Sequence, residues 1–302
     1  NFKSADDVNS DETWEALYGP NYYSFDYANV HFVVLDDIAW DGDNYHGEFG
    51  ERQRTFLKND LARVPQDKLV VLSMHIPLHT TSDKELVYEI LDGRANHFSV
   101  SAHWHRQAHF FFDRADGWPG TDEHHHLVHA TVCGSWWSGT KDENGIPHAT
   151  MSDGAPNGYS IVTFDDNEYS IRFKAARRPA DHQMNIYAPE VVGVEEVGET
   201  QVVVNVFAGS ERSKVEMSFG DSGDWVSLTK TVMKDPYYVA LKELEPQMPD
   251  DAGRDLPNPS DSMHIWTGNL SGTVEPGVHL IRVRTRDMFG QTYLEERTIR
   301  VE

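Results

Sequence analysis

A layered α/β domain followed by an all-β sandwich is the fold class the sequence predicts, and three observations carry that prediction. The amino-terminal part alternates continuous apolar runs of strand length with helical periods, the pattern of a sheet covered by helices. From about residue 158 onward only short alternating runs occur, separated by turn clusters. The chain has 302 residues, too long for one ordinary core and suited to two domains of roughly 100 to 200 residues each.

Residues 21–36, "NYYSFDYANVHFVVLD", read as a hairpin of aromatic and β-branched runs around a turn at Asp26 to Asn29. In "GEFGERQRTFLKNDLARVP" the apolar positions Phe49, Phe56, Leu57, Leu61 and Val64 recur at helical spacing, with Gln53 in the gap, until Pro65 ends the pattern. "KLVVLSM", residues 68–74, carries no alternation, as expected of a strand covered on both faces. His75 stands at its end, and Pro77 breaks the ladder. A second helix is predicted from Ser82, with Glu85 completing a capping box and Gly93 closing it. The next strand lies near His97 to Val100.

Past residue 130 the texture changes to loops rich in Gly, Trp and Asp, "CGSWWSGTKDENGIPHATMSDGAPNGY". The runs "YSIVTF", "YSIRFKAA", "TQVVVNVF", "SKVEMSFG", "WVSLTKTV", "HLIRVRT" and "RTIRVE" then predict an antiparallel, immunoglobulin-like β-sandwich without a helical period. A boundary is expected near Pro189, which gives residues 1–130 as the α/β part, 131–188 as a loop-rich and β segment, and 189–302 as the sandwich. "EPQMPDDAGRDLPNPSD", residues 245–261, reads as an exposed loop.

Apolar residues make up 39% and charged residues 25% of the chain, so a substantial core is affordable. A net charge of −23 with no long basic stretch argues against a nucleic-acid polymer or an anionic membrane surface as partner. A small phosphorylated substrate stays open, because bound cations reverse the field inside one pocket. Cys133 is the only cysteine, so no internal disulfide is expected. No apolar run approaches the roughly 20 residues of a transmembrane helix. The sequence starts at Asn1 without a basic-then-apolar leader, so an upstream segment is expected to have been removed or left out.

His75, His103 and His105 are the candidate metal ligands. A histidine directly after a buried strand sits where open α/β sheets place ligands, although a strand-end cap bonded to a carbonyl is the plainer reading of His75 alone. On an extended segment His103 and His105 point the same way with Trp104 opposite, a geometry suited to two adjacent ions. Neutral imidazoles and carboxylates suit Mn, Fe or Zn better than Ca.

"GPNYYSFDYANVHFVVLD", "FLKNDLARVP", "VVLSMHIPL" and "SVSAHWH", in that order, resemble the carboxyl-terminal half of a calcineurin-like metallophosphoesterase. The stretch from "CGSWW" to the final strands is similar to the carboxyl-terminal domain attached to a bacterial, often exported, subgroup. The resemblance implies hydrolysis of phosphate monoesters, phosphodiesters or nucleotide pyrophosphates at a dinuclear centre of two divalent metal ions, in a periplasmic or secreted protein. It implies that His75 and His103 bind one ion and His105 the other. It also requires three upstream motifs, including the bridging Asp and the general acid, and none precedes His75. The resemblance therefore implies half a site, inactive alone, whose complement comes from an amino-terminal fragment or a second chain. Such a half would leave a sheet edge and a core face exposed. "DEH", Asp122 to His124, and "GDSGD", Gly220 to Asp224, match two of the missing motifs only formally; the second reads as a hairpin turn. Ala102 stands where the family usually has glycine.

The run His124 to His126, with His129, is expected as a polar loop at the mouth of the site, His124 touching substrate. Trp136, Trp137, Asp153, Asn157 and Tyr159 are expected to form a specificity wall, and Cys133 to be inert packing at an apolar strand end. The competing class is a non-catalytic module that binds carbohydrate or a surface polymer, with structural histidines.

Overall fold

The structure is a computed structural model that describes residues 10–220, 223–247, 255–272 and 274–302. Two compact units divide the chain. The described residues within Asn1–Trp104, His109–His129 and Val162–Ser170 form the first, and those within His105–Ala108, Ala130–Ile161 and Ile171–Glu302 form the second. Residues 131–188 thus contribute to both.

The first unit runs α1 (Glu12–Tyr18), β1 (Tyr23–Tyr27), β2 (Val30–Val34), β3 (Ile38–Asp41), β4 (Asn44–Gly47), α2 (Gly50–Leu61), β5 (Leu69–Ser73), α3 (Lys84–Leu91), β6 (His97–Ser101), β7 (Ala108–Phe112) and β8 (His124–Val128). Six strands make one sheet in the order β1-β2-β5-β6-β8-β7, while β3 and β4 pair as a separate hairpin. The expected hairpin forms around the turn between β1 and β2, with Tyr23 opposite Val34. From β2 through β5 and β6 to β8 the neighbours are parallel; α2 and α3 supply the crossovers from β2 to β5 and from β5 to β6, and the connection from β6 to β8 runs through β7. Leu69, Val70, Val71 and Leu72 are all buried, which explains the run without alternation. One core joins Val33, Val70 and Leu72 of the sheet to Leu57 and Leu61 of α2 and to Val87, Tyr88 and Leu91 of α3. Phe164 meets Phe32 edge-on and Tyr169 stacks on Phe98. At the sheet edge Tyr23, Phe25 and Tyr27 are exposed, and α1 buries no side chain.

Two local expectations fail for identifiable reasons. The capping box at Ser82 does not form: α3 starts at Lys84, with Asp83 in front of it making no cap bond to it. Asp83 instead accepts the Phe49 and Gly50 N–H groups at 3.1 and 3.0 Å and pairs with Arg54, so it serves the start of α2. The run His124 to His126 is not a loop but the first three residues of β8, all buried.

Strands β9 (Gly158–Asp165) and β10 (Glu168–Ala175) pair with each other, and their residues are divided between the units. The second unit continues with β11 (Met184–Tyr187), β12 (Val191–Val192), β13 (Gln201–Val206), β14 (Lys214–Phe219), β15 (Val226–Ser227), β16 (Thr229–Lys234), α4 (Pro236–Leu244), β17 (Asp261–Asn269), β18 (Gly277–Arg286) and β19 (Thr292–Val301). Sheets β11-β13-β17-β16 and β12-β19-β18-β14-β15 share one core, in which Val202, Val204 and Trp266 meet Val215, Met217, Ile281, Val283 and Ile299. The pairing is antiparallel except that β12 runs parallel to β19, a departure from the expected pattern. Helix α4 is a second departure: Asp235 caps it through the Tyr238 N–H at 2.8 Å and Pro236 occupies its first turn, a start signal hidden among β runs. The "GDSGD" stretch joins antiparallel β14 and β15, with Asp221 and Ser222 outside the described residues. Of the expected loop at 245–261, Glu245–Gln247 form a 3-10 turn and residues 248–254 lie outside the described residues.

Leu72→Ala removes three carbons of side-chain packing from a fully buried position between sheet and helices and should cost about 2–5 kcal/mol, read from a urea titration. A loss below about 1 kcal/mol would show that this core collapses around the cavity.

Candidate functional site

The site begins with two acids that follow β2. Asp37 is fully buried, and its carboxylate accepts the N–H groups of His75 (3.0 Å) and Ile76 (2.9 and 3.1 Å). Burial pushes its carboxyl up to about 7, against the lowering pull of those donors. The turn after β5 is thus hung on β2's carboxyl end, which fixes where His75 leaves the sheet. Asp36 accepts from Asn21 at 2.9 Å and from its own Ile38 N–H at 3.2 Å, and its backbone is bracketed by the Gln53 amide. A cleft of about 330 Å³ opens here, lined by Asp36, Ile38, Trp40, Tyr45 and His75. Sequence reasoning passed over Asp36, Asp37 and Tyr45; the legible signal was a pair of acids directly after a buried strand.

His103 reaches the same place from β6. Its Nδ1 lies 3.0 Å from His75 Nε2, the rings cross at 68°, and Tyr45 packs edge-on against His103. The expected extended geometry of 103–105 is not what the structure shows. His103 and His105 both take left-handed backbone angles, φ 59° and 50°, and the Trp104 N–H bonds back to Ala102 O at 2.6 Å. The segment therefore turns instead of alternating. Ala102 is not among the left-handed residues; its N–H donates to His75 O at 3.1 Å, so an alanine fits there.

His105 belongs to the second unit. Its ring stacks on Trp136 at 3.8 Å, and its Nδ1 lies 2.5 Å from Gly134 O. A carbonyl only accepts, so Nδ1 carries the proton and Nε2 is the basic nitrogen, the arrangement found for metal-bound imidazoles. The segment behind it is held by Asp153, which is buried and accepts the Gln107 N–H at 2.7 Å, while Gln107 Oε1 accepts the Ala130 N–H at 2.7 Å. Asp153 also meets His264 at 3.1 Å, and His264 meets Asn205 at 2.7 Å.

The other members of the expected wall are spread through the second unit. Trp136 and Trp137 are half exposed with left-handed backbones at φ 56°. Asn157 is buried and donates to Val132 O at 2.8 Å, whereas Tyr159 is exposed. Cys133 is half-buried in a turn and not at a strand end; its sulfur lies 3.8 Å from Gly134 O.

His124 is fully buried in the first unit, inside a chain of neutral rings. The Leu78 N–H points at His126 Nε2 at 3.4 Å, which makes that nitrogen an acceptor and puts the proton on Nδ1. His126 Nδ1 then donates to Ser99 Oγ at 2.7 Å, Ser99 to His124 Nε2 at 2.7 Å, and His124 Nδ1 to His97 Nδ1 at 2.9 Å. Ser101 supplies a second hydroxyl to His126 Nε2 at 3.0 Å. On the opposite sheet face His125 bonds Tyr169 and His109 at 2.7 and 2.9 Å. Burial, reinforced by Lys84, holds His79 down to about 4; burial, reinforced by His79, holds His126 down to about 3. Burial lowers His97 and drives His124 well below the ordinary histidine value.

Two ligands 2.0–2.1 Å from one ion lie about 2.8–3.0 Å apart at a right angle and about 3.3–3.4 Å apart at a tetrahedral one, so the His75 and His103 nitrogens, 3.0 Å apart, match a right-angled edge of a coordination sphere. Among the described residues, however, no group of three or more His, Cys, Asp or Glu is arranged to hold a metal ion.

The family model for the C terminal of calcineurin-like phosphoesterase matches residues 125–293. No curated protein matches the chain. Among solved structures, a superoxide reductase (neelaredoxin) from Ignicoccus hospitalis is similar at 17% identity and TM-score 0.23 over 40% of this chain and 81% of its own. CopC from Methylosinus trichosporium OB3b is similar at 9% identity and TM-score 0.21 over 48% of this chain and 94% of its own. Likenesses at these scores carry no argument.

Asp37→Ala leaves two N–H groups without their acceptor and should cost about 2–5 kcal/mol, with Asp37→Asn intermediate because one acceptor oxygen remains. Chemical denaturation of the three proteins checks the order. The buried histidines also set a pH dependence. Their folded values lie below the unfolded 6.5, so their contribution is intact above about pH 6.5 and is lost as pH falls toward 4 and 3. The raised Asp37 acts oppositely between about 4 and 7, but it is one group against four histidines. Net stability of the first unit should fall on acidification below about pH 6.5, by several kcal/mol in total. Amide exchange in β5 and β6 measures it, and protection that stays flat down to about pH 4 would contradict the neutral chain.

Proposed function

The chain belongs to the calcineurin-like phosphoesterases through the C-terminal part of that family, and from that premise we propose that it takes part in metal-dependent hydrolysis of phosphate esters. The observation that carries the reading is the facing pair of imidazole nitrogens, His75 Nε2 and His103 Nδ1, at the carboxyl ends of adjacent parallel strands. In this reading His75 and His103 serve one divalent ion and His105, through Nε2, a second. The remaining donors come from outside the described residues. Bound ions of this kind supply Lewis-acid polarisation of a phosphoryl oxygen and an activated hydroxide.

The chain's own residues prepare the ligands. Asp37 holds the His75 turn through two N–H groups, so the imidazole meets its partner without a search over loop conformations. The Gly134 carbonyl fixes the tautomer of His105, and Trp136 covers one face of its ring. Asp36 and Tyr45 flank the cleft beside His75, where a small phosphorylated substrate would lie. No helix of the described residues is long and apolar enough to cross a membrane, and we place the protein in the periplasm or outside the cell by kinship with the exported subgroup. The two-sheet second unit is read as an immunoglobulin-like sandwich that accompanies the catalytic part.

Elemental mass spectrometry after dialysis against Mn²⁺ and Zn²⁺ tests the ligand assignment. His103→Ala should lower bound metal at least tenfold in affinity while leaving the circular dichroism unchanged, and hydrolysis of an aryl phosphate should follow metal occupancy. Metal binding indifferent to His103 and His75 would overturn the reading.

A further inference from the structure

A second cleft, unrelated to the imidazole pair, lies wholly within the second unit. It holds about 340 Å³, at the small end of ligand pockets, and is lined by His148, Arg178, His182, Asn185, Tyr187 and Tyr237 among others. Its polar groups are organised. His148 Nε2 meets Tyr237 Oη at 2.5 Å and its Nδ1 meets Thr150 Oγ1 at 2.7 Å, so one imidazole orients two hydroxyls. The Tyr187 hydroxyl is buried beside Asp235 and makes no well-formed hydrogen bond in the protein. Such an orphan costs stability unless something else satisfies it. Gly154 shapes the wall: at φ 84° a Cβ there would come within 2.5 Å of the Asp235 carboxylate.

Charge decides the kind of ligand. Among the described residues Arg178 is the one permanent cation on the lining, and Glu143 stands 3.5 Å from it. Arg177 beside it is tied to Asp142 at 2.6 Å, and His182 has Glu295 at 3.7 Å. Burial lowers both His148 and His182, which keeps them uncharged near neutrality. The cleft thus presents no net positive field for a phosphate, but it presents groups that both donate and accept: two imidazoles, two phenols, an amide and a hydroxyl. Tyr237 adds an aromatic ring that is 42% exposed. An uncharged ring studded with hydroxyls, apolar on its C–H face, satisfies both demands.

We propose that this cleft is a saccharide-binding site, taking one neutral sugar residue against Tyr237 with its hydroxyls toward His148, Asn185, Tyr187 and Arg178. The site is independent of the phosphoesterase reading, so either stands if the other fails. The test is saturation-transfer NMR and calorimetry on the whole chain with methyl α-glucoside, methyl β-galactoside and N-acetylglucosamine, with inorganic phosphate as competitor. At least one sugar should bind, phosphate should not displace it, and Tyr237→Ala should weaken it by about tenfold or more. Should that variant fail to fold, Arg178→Ala, at a largely exposed side chain, should show the same direction of loss. Absence of binding by all three sugars, displacement by phosphate, or unchanged affinity in folded Tyr237→Ala or Arg178→Ala would overturn the proposal.

Discussion

The grip of the Asp37 carboxylate on the His75 and Ile76 N–H groups is the contact on which the candidate site depends. A strand of a parallel sheet ends abruptly, and the chain beyond it has donors that the ladder no longer serves. Here those donors are collected by the acid at the end of the neighbouring strand, which makes one side chain responsible for both strand termination and imidazole placement. The cost is visible in the same group: a carboxyl taken out of water is pushed up to about 7, so burial opposes the charge that the two N–H groups favour. Ala102 completes the arrangement by donating to the His75 carbonyl, so the two imidazole-bearing turns brace each other.

Beneath that turn the first unit is built around uncharged histidines where leucine or valine would be ordinary. β8 carries three in succession, yet none is wasted as an unsatisfied polar group in the chain from His126 through Ser99 and His124 to His97. Serine hydroxyls make this possible because each donates once while accepting from the other side. A polar layer of this kind specifies register more sharply than an aliphatic one: slipping β8 by one residue would turn His124 and His126 to the other sheet face, away from the Ser99 and Ser101 hydroxyls.

Much of the architecture was legible because burial leaves a period. The continuous run at 69–72 announced a doubly covered strand, the spacing of Leu57 and Leu61 announced α2, and the turn at Asp26 to Asn29 announced the first hairpin. What escaped was decided by partners distant in sequence. Ser82 and Glu85 looked like a local capping box, whereas the acid between them, Asp83, serves a helix that begins more than thirty positions earlier. His124 to His126 looked like a polar loop because residue type suggests solvent, whereas hydrogen bonding made them core. Asp153 was grouped with surface tryptophans, yet it is a buried anchor for the chain that follows His105. His75 and His103 were found because strand ends concentrate chemistry; Asp37, which aims one of them, has no motif of its own.

The left-handed angles at His103 and His105 reach beyond ligand geometry. An L-residue held there costs about 1–2 kcal/mol that glycine would not, so two such positions within three residues make this loop a local weak point of the fold. Laboratory evolution for heat resistance alone would drift toward glycine at both, trading away the imidazoles for melting temperature. The loop is where durability and chemistry pull the sequence in opposite directions, and an engineer wanting both would have to find the missing stability elsewhere in the sheet.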